Sequence, residues 1–140
     1  MATLYLSLGT NMGDRLKNLS SALELIGHEV GTVVSASDII ETEPWGFESS
    51  NMFLNMVAKV ETHLQPIEVL HATQKIEHTL GRDKKSVDGE YQNRPIDIDI
   101  LLYDDLVMNT PELTIPHPLM YQREFVMKPL AQIAPELIKN

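Results

Sequence analysis

The sequence predicts an α+β fold of the ferredoxin-like kind, a mainly antiparallel sheet with flanking helices. Two observations carry that expectation. Stretches of period-two apolar alternation and stretches of helical spacing follow one another roughly in the order β-α-β-β-α-β. In three of the strand-like stretches an all-apolar face opposes a mixed one, the pattern of a sheet whose two sides do different things.

Each element has its own reason. "TLYLSLG" (3–9) alternates Leu4, Leu6 and Leu8 with Tyr5 and Ser7. "DRLKNLSSALELIG" (14–27) spaces Leu16, Leu19, Leu23 and Ile26 for one helix face, with Gly27 as its stop. "EVGTVVSASDIIETE" (29–43) is rich in β-branched residues and reads as one strand, and "PWGFESSN" (44–51) reads as a loop. In "FLNMVAKVET" (53–62), Leu54, Met56, Ala58 and Val60 oppose Phe53 and Asn55. "PIEVLHATQKIEHTLG" (66–81) opens on a first-turn proline and closes on glycine, with Ile67, Leu70, Ile76 and Leu80 as its apolar side. "RDKKSVDGEYQNRP" (82–95) is polar and reads as a mobile loop that closes over its ligand. Beyond it, Ile96, Ile98, Ile100 and Leu102 alternate with Asp97, Asp99, Leu101 and Tyr103. A turn at Asp104–Asp105 and one or two short helices interrupted at Pro129 complete a single domain over residues 1–140.

Composition narrows the function. Hydrophobic residues at 43% and charged ones at 22% suit a packed core and not a disordered chain. No apolar run is long enough for a membrane span, no basic stretch opens a secretory signal, and there is no cysteine, so a cytoplasmic protein is expected. The net charge of −9, from 20 acidic and 11 basic residues, disfavours nucleic acid as a partner. Yet Arg82, Lys84, Lys85 and Arg94 fall within thirteen positions, directly before the paired aspartates. A basic loop on an acidic protein suits a small anion better than a polyanion.

Asp97 and Asp99 are the informative pair. Aspartate is depleted from strands, and same-face neighbours stand only about 6.6–6.8 Å apart at the backbone. They can face water, join an ion-pair network with Arg94, or hold divalent metal. Mg²⁺ takes one or two carboxylates together with water and substrate phosphates. The preceding basic, glycine-containing loop favours the metal option. His28, His63, His71 and His78 have no metal-site spacing, the seven methionines read as core filler, and Gln74 and Glu77 read as solvated helix residues.

Seven segments in order resemble one family: "SLGTNMGDR", "ETEPWG" (41–46), "FLNMV" (53–57), "TQKIEHTLGR" (73–82), "NRPIDIDILLY" (93–103), "IPHP" (115–118) and "REFVMKPLAQIAPEL" (123–137). The family is 6-hydroxymethyl-7,8-dihydropterin pyrophosphokinase, which moves the β,γ-diphosphate of ATP to the hydroxymethyl oxygen of a reduced pterin and releases AMP. The resemblance implies that Asp97 and Asp99 bind two Mg²⁺ ions and that Arg82 and Arg94 reach the phosphates. It implies ATP contacts from Gln74, Glu77, Lys84, Ile98, His117 and Arg123. It implies a pterin pocket of Thr42, Glu43, Pro44, Trp45, Phe53, Asn55 and Phe125, with Phe53 and Phe125 sandwiching the ring, and a monomer that uses neither nucleic acid nor membrane. Three positions depart from some members: Glu43 stands in place of proline, Lys84 of arginine and Pro118 of tyrosine. Lys84 offers a point charge where arginine offers a fork.

Two other functions fit parts of the pattern. A nucleotidyltransferase can also pair an early "LGTN" turn with a later D-x-D strand, but it releases pyrophosphate where the pyrophosphokinase releases AMP. A ferredoxin-like sensor module has no use for two metal carboxylates beside a basic loop.

Overall fold

Strand β1 (Ala2–Thr10) forms the middle of the sheet because both of its faces are buried: Leu4, Leu6 and Leu8 on one side, Tyr5 and Ser7 on the other. The computed structural model describes residues 1–43, 52–82 (Arg82 by its backbone alone) and 95–138. β2 (Gly31–Ala36), β4 (Phe53–Thr62), β1 and β5 (Asp97–Tyr103) lie side by side in that order, all antiparallel. Helices α1 (Arg15–Glu29) and α2 (Pro66–Glu77) supply the connections, giving the ferredoxin-like α+β arrangement that the sequence predicts.

α1 starts where the Asp14 carboxylate accepts the Lys17 N–H at 3.1 Å. Leu19, Ala22 and Ile26 form its buried line, whereas Leu16, assigned to that line from spacing, is 63% exposed one turn too early to reach the sheet. The helix also passes through Gly27, the expected stop, and its last turn is closed by the Val30 N–H on the Ile26 carbonyl. Burying Val30 is worth about 1.5–3 kcal/mol, more than the ~1 kcal/mol that a helical glycine costs. In α2 the buried line is Val69, Thr73 and Ile76, with Ile67, Leu70 and Leu80 only partly covered. α2 runs on into a π-helical turn (His78–Arg82), where Gly81 at φ +109° supplies the left-handed residue.

The stretch expected as one strand, 29–43, makes two. Ser37 breaks the ladder: its N–H donates to the Val57 carbonyl and its hydroxyl accepts the Val57 N–H, both at 2.9 Å. The chain then rejoins β4 as β3 (Ile40–Thr42). A second irregularity lies in β5. Leu6 pairs with Ile100 and Tyr5 with Leu102, so Leu101 is the extra residue of a β-bulge. The alternation therefore slips: Leu102 joins the aspartate side, while Tyr103 turns to the helix side and donates its hydroxyl to the Leu64 carbonyl at 2.6 Å.

α1 and α2 cover the face of Leu4, Leu6, Leu8, Met56, Ala58, Val60, Ile98 and Ile100. After the short strands β6 (Met108–Asn109) and β7 (Thr114–Ile115), helix α3 (Glu124–Ile133) crosses the opposite face. There Val126 and Leu130 bury Tyr5, Val57, Leu101 and Met120, so Tyr5 is core and not ligand-facing. Pro129 does not interrupt α3. It is itself buried beside Leu130, and this packing offsets the roughly 3 kcal/mol of an interior proline.

Candidate active site

Beyond the start of α3, the same sheet face carries the polar residues. Antiparallel partners share a face, so the register sets two rows across it. One runs Ile40, Asn55, Gly9, Asp97, and the next runs Val57, Ser7, Asp99. The aspartates are half-buried at one edge, and the phenylalanine and asparagine of β4 stand on the far side of β1.

β5 is an edge strand, and an edge N–H needs a partner. Glu77, the last residue of α2 and 5% exposed, accepts the Ile98 N–H at 2.7 Å. Its carboxylate thus grips the main chain between Asp97 and Asp99. Spacing alone placed Glu77 in solvent, and the structure corrects that: α2 ends against the β5 edge and its final turn faces inward. The Ile98 side chain lies in the core on the helix side. Gln74 is exposed.

Among the described residues, Arg123 places positive charge beside Asp99. Its Nη1 lies 3.8 Å from Asp99 Oδ2, and its guanidinium sits over the Phe125 ring, 5.4 Å from the centroid. Both residues stand at the start of α3, so one helix end touches the carboxylate and the aromatic sides of the site.

His117 reaches the site through the bulge. Its N–H donates to the Leu101 carbonyl at 3.0 Å, and its Nδ1 accepts the Leu119 N–H at 3.2 Å. With Nδ1 so engaged, the neutral ring carries its proton on Nε2. Burial pushes the imidazole below its ordinary pKa, the Arg123 charge adds to this, and Asp97 opposes it.

On the other side, Asn55 is 3% exposed and donates its side-chain N–H to the Thr42 hydroxyl at 2.6 Å. Thr42 pairs with Phe53 across the β3–β4 ladder. Phe53 is half-buried and belongs to neither core cluster, whereas Phe125 packs partly on the α3 side. Glu43 is exposed. Pro44, Trp45, Lys84 and Arg94 lie outside the described residues, as does the Arg82 side chain and with it the loop expected to close over the ligand.

The structure adds two residues that spacing did not single out. Arg15 donates from Nη1 to Glu41 at 3.0 Å and to the Met52 carbonyl at 2.9 Å, tying the neighbours of Thr42 and Phe53 together. Gly9 sits mid-row between Asn55 and Asp97. A glycine closing a strand pattern is a signal of close approach, and it was legible. Among the described residues, no group of three or more His, Cys, Asp or Glu could hold a metal. Two carboxylates alone leave room for water and phosphate oxygens, which fits Mg²⁺ and not a closed zinc site.

The chain is similar to one enzyme family over nearly its whole length. The family model described as 7,8-dihydro-6-hydroxymethylpterin-pyrophosphokinase (HPPK) matches residues 5–135. The 2-amino-4-hydroxy-6-hydroxymethyldihydropteridine pyrophosphokinase of Porphyromonas gingivalis is 52% identical over 138 residues, covering 98% of this chain and 94% of that protein. Its namesake from Bacillus subtilis is 43% identical over 137 residues, covering 97% and 80%. A variant of Plasmodium falciparum HPPK-DHPS with SDX-DHP superposes at a TM-score of 0.79 with 17% identity over 96% of this chain, which spans 42% of that one. That last likeness speaks for the fold alone. The chain belongs to the 7,8-dihydro-6-hydroxymethylpterin-pyrophosphokinase family.

Proposed function

We propose that the two rows of this sheet face carry out the family's reaction with the parts as follows. The reaction is transfer of the β,γ-diphosphate of ATP to the hydroxymethyl group of 6-hydroxymethyl-7,8-dihydropterin, a step of folate biosynthesis. The hydroxymethyl oxygen bonds to the β-phosphorus and the bridging oxygen leaves with AMP. The hydroxyl proton passes to solvent. Little covalent chemistry is asked of the protein, so its part is positioning and charge.

Asp97 and Asp99 would hold two Mg²⁺ ions, which when bound neutralise the phosphate charge. Glu77 fixes the strand that carries both carboxylates. Arg123 and the Nε2–H of His117 offer donors to the phosphates, and Arg82, Arg94 and Lys84 are assigned there by resemblance. Gln74 is assigned to the nucleotide in the same way. Phe53 and Phe125 take the two faces of the pterin, while Asn55 and Thr42 read its edge. Glu43, Pro44 and Trp45 complete the pocket by resemblance. A monomer is the acting unit in this reading. Nucleic acid and membrane have no part in this reading, and a cytoplasmic setting goes with it.

One observation carries the assignment. The Asn55–Gly9–Asp97 row puts an amide with an aromatic neighbour two strand spacings, about 10 Å, from the paired carboxylates. That is a distance one substrate arm and a diphosphate can bridge. The test is to incubate the protein with ATP, Mg²⁺ and the pterin and to separate the nucleotides. AMP in step with pterin consumption supports the proposal. ADP, or pyrophosphate with a nucleotidylated pterin, overturns it.

A further inference from the structure

Gly9 lies near the end of the central strand, where glycine is a poor choice: it forgoes packing and orders an unusually free backbone. Its backbone does not require glycine, since the positive-φ glycines among the described residues are Gly13 and Gly81. Space is what singles it out. A Cβ built at Gly9 would stand 3.0 Å from Asn55 Oδ1 and 3.6 Å from Phe53 Cδ1. It would point toward the face that carries Asn55 on one side and Asp97 on the other.

Asn55 has little freedom to give way. It is 3% exposed and its amide is tied to the Thr42 hydroxyl at 2.6 Å. A methyl group at position 9 would therefore turn the amide. We infer that Gly9 is a specificity-determining residue: its missing side chain leaves the Asn55 amide turned to meet the edge of a pterin held between Phe53 and Phe125, with the hydroxymethyl arm directed from Asn55 toward Asp97. The inference rests on the pterin reading above and adds to it where the ring sits and why residue 9 has no side chain. It also restricts the substrate to heterocycles with a hydrogen-bonding edge, because an edge without donors and acceptors leaves the buried Asn55 amide unmatched.

Gly9→Ala tests this. Pterin is titrated into wild type and variant preloaded with Mg²⁺ and α,β-methylene-ATP, whose bridging carbon blocks transfer, and nucleotide affinity and thermal midpoint are measured alongside. The expected result is pterin affinity weakened at least about tenfold, with nucleotide affinity unchanged and a midpoint at or above wild type. Because the added methyl acts through Asn55, Gly9→Ala combined with Asn55→Ala should bind pterin no worse than Asn55→Ala alone. Wild-type pterin affinity in Gly9→Ala overturns the inference while leaving the proposed function standing. So does a variant that melts early or loses nucleotide affinity in parallel, since Gly9 would then serve the fold. Wild type that binds nucleotide but no pterin sinks the pterin reading itself.

Discussion

Replacing Glu77 with leucine removes the partner of the Ile98 N–H while keeping an apolar side chain of similar bulk. Ile98 is 6% exposed and its amide meets the Glu77 carboxylate at 2.7 Å, so water cannot easily substitute. A buried amide left without its partner costs about 1–3 kcal/mol, toward the upper end where the lost acceptor is charged. At roughly 4 °C per kcal/mol for a chain of this size, the thermal midpoint should fall by about 10–12 °C. Asp97 and Asp99 flank Ile98, so turnover should fall as well: a displacement of about 1 Å at a reacting centre can cost on the order of a hundredfold. Glu77→Gln retains a carbonyl oxygen for the same bond and should stay within about 1 kcal/mol of wild type, since a neutral acceptor replaces a charged one. Melting curves and steady-state AMP release measured on both variants check this. If Glu77→Leu melts like wild type while Glu77→Gln loses ATP affinity, the carboxylate works on the nucleotide and not on the strand.

Other outcomes follow from the same geometry. Asp97→Asn and Asp99→Asn should each abolish Mg²⁺-dependent turnover, and Asp97→Asn should melt at or above wild type because like charges on one strand face are relieved, whereas Asp99→Asn also gives up the Arg123 ion pair; a variant that keeps near-full activity contradicts the metal assignment. Phe53 belongs to neither core cluster, so Phe53→Ala should weaken pterin binding by tens-fold without the roughly 3–5 kcal/mol lost on truncating a core phenylalanine; calorimetry and melting separate the two. Burial and Arg123 hold His117 below its ordinary pKa, so the unfolded chain binds the extra proton first as pH falls. Its neutral form therefore contributes stability above about pH 6.5 that is lost on acidification through the lowered folded value. Melting of His117→Gln should accordingly depend less on pH between 7 and 5 than melting of wild type does, and equal slopes would refute it. Arg15→Met should raise the pterin KM more than it lowers kcat, since Arg15 joins Glu41 and Met52 beside Thr42 and Phe53; an unchanged KM would leave that tie purely structural.

The strands that alternate cleanly were legible because one buried face imposes a period of two: Leu4 to Leu8 and Met56 to Val60 fall where the pattern puts them. What escaped the pattern was decided by contacts distant in sequence. α1 outruns Gly27 because Val30 has a core to enter, and Leu16, in the first turn, stays exposed where Leu19, Ala22 and Ile26 are buried. The break at Ser37 depends on Val57, twenty residues away. The bulge at Leu101 is invisible in an apolar run, where a slipped register leaves hydrophobic residues on both faces. At the site, Asp97 and Asp99 stood out by residue type alone, because aspartate in a strand asks for a reason. Glu77 did not, since a glutamate on a helix is ordinary until an edge amide is placed beside it. The placement of Arg123 likewise depends on where α3 begins, and that of His117 on the Leu101 carbonyl it bonds, neither of which local spacing encodes.

The central claim is that the pterin oxygen attacks the β-phosphorus of ATP. Supplying ATP labelled at the β-phosphorus, with Mg²⁺ and 6-hydroxymethyl-7,8-dihydropterin, follows that atom directly. The label should move to the pterin, and the AMP released should carry none. Label recovered in free pyrophosphate, with AMP attached to the pterin, would contradict it.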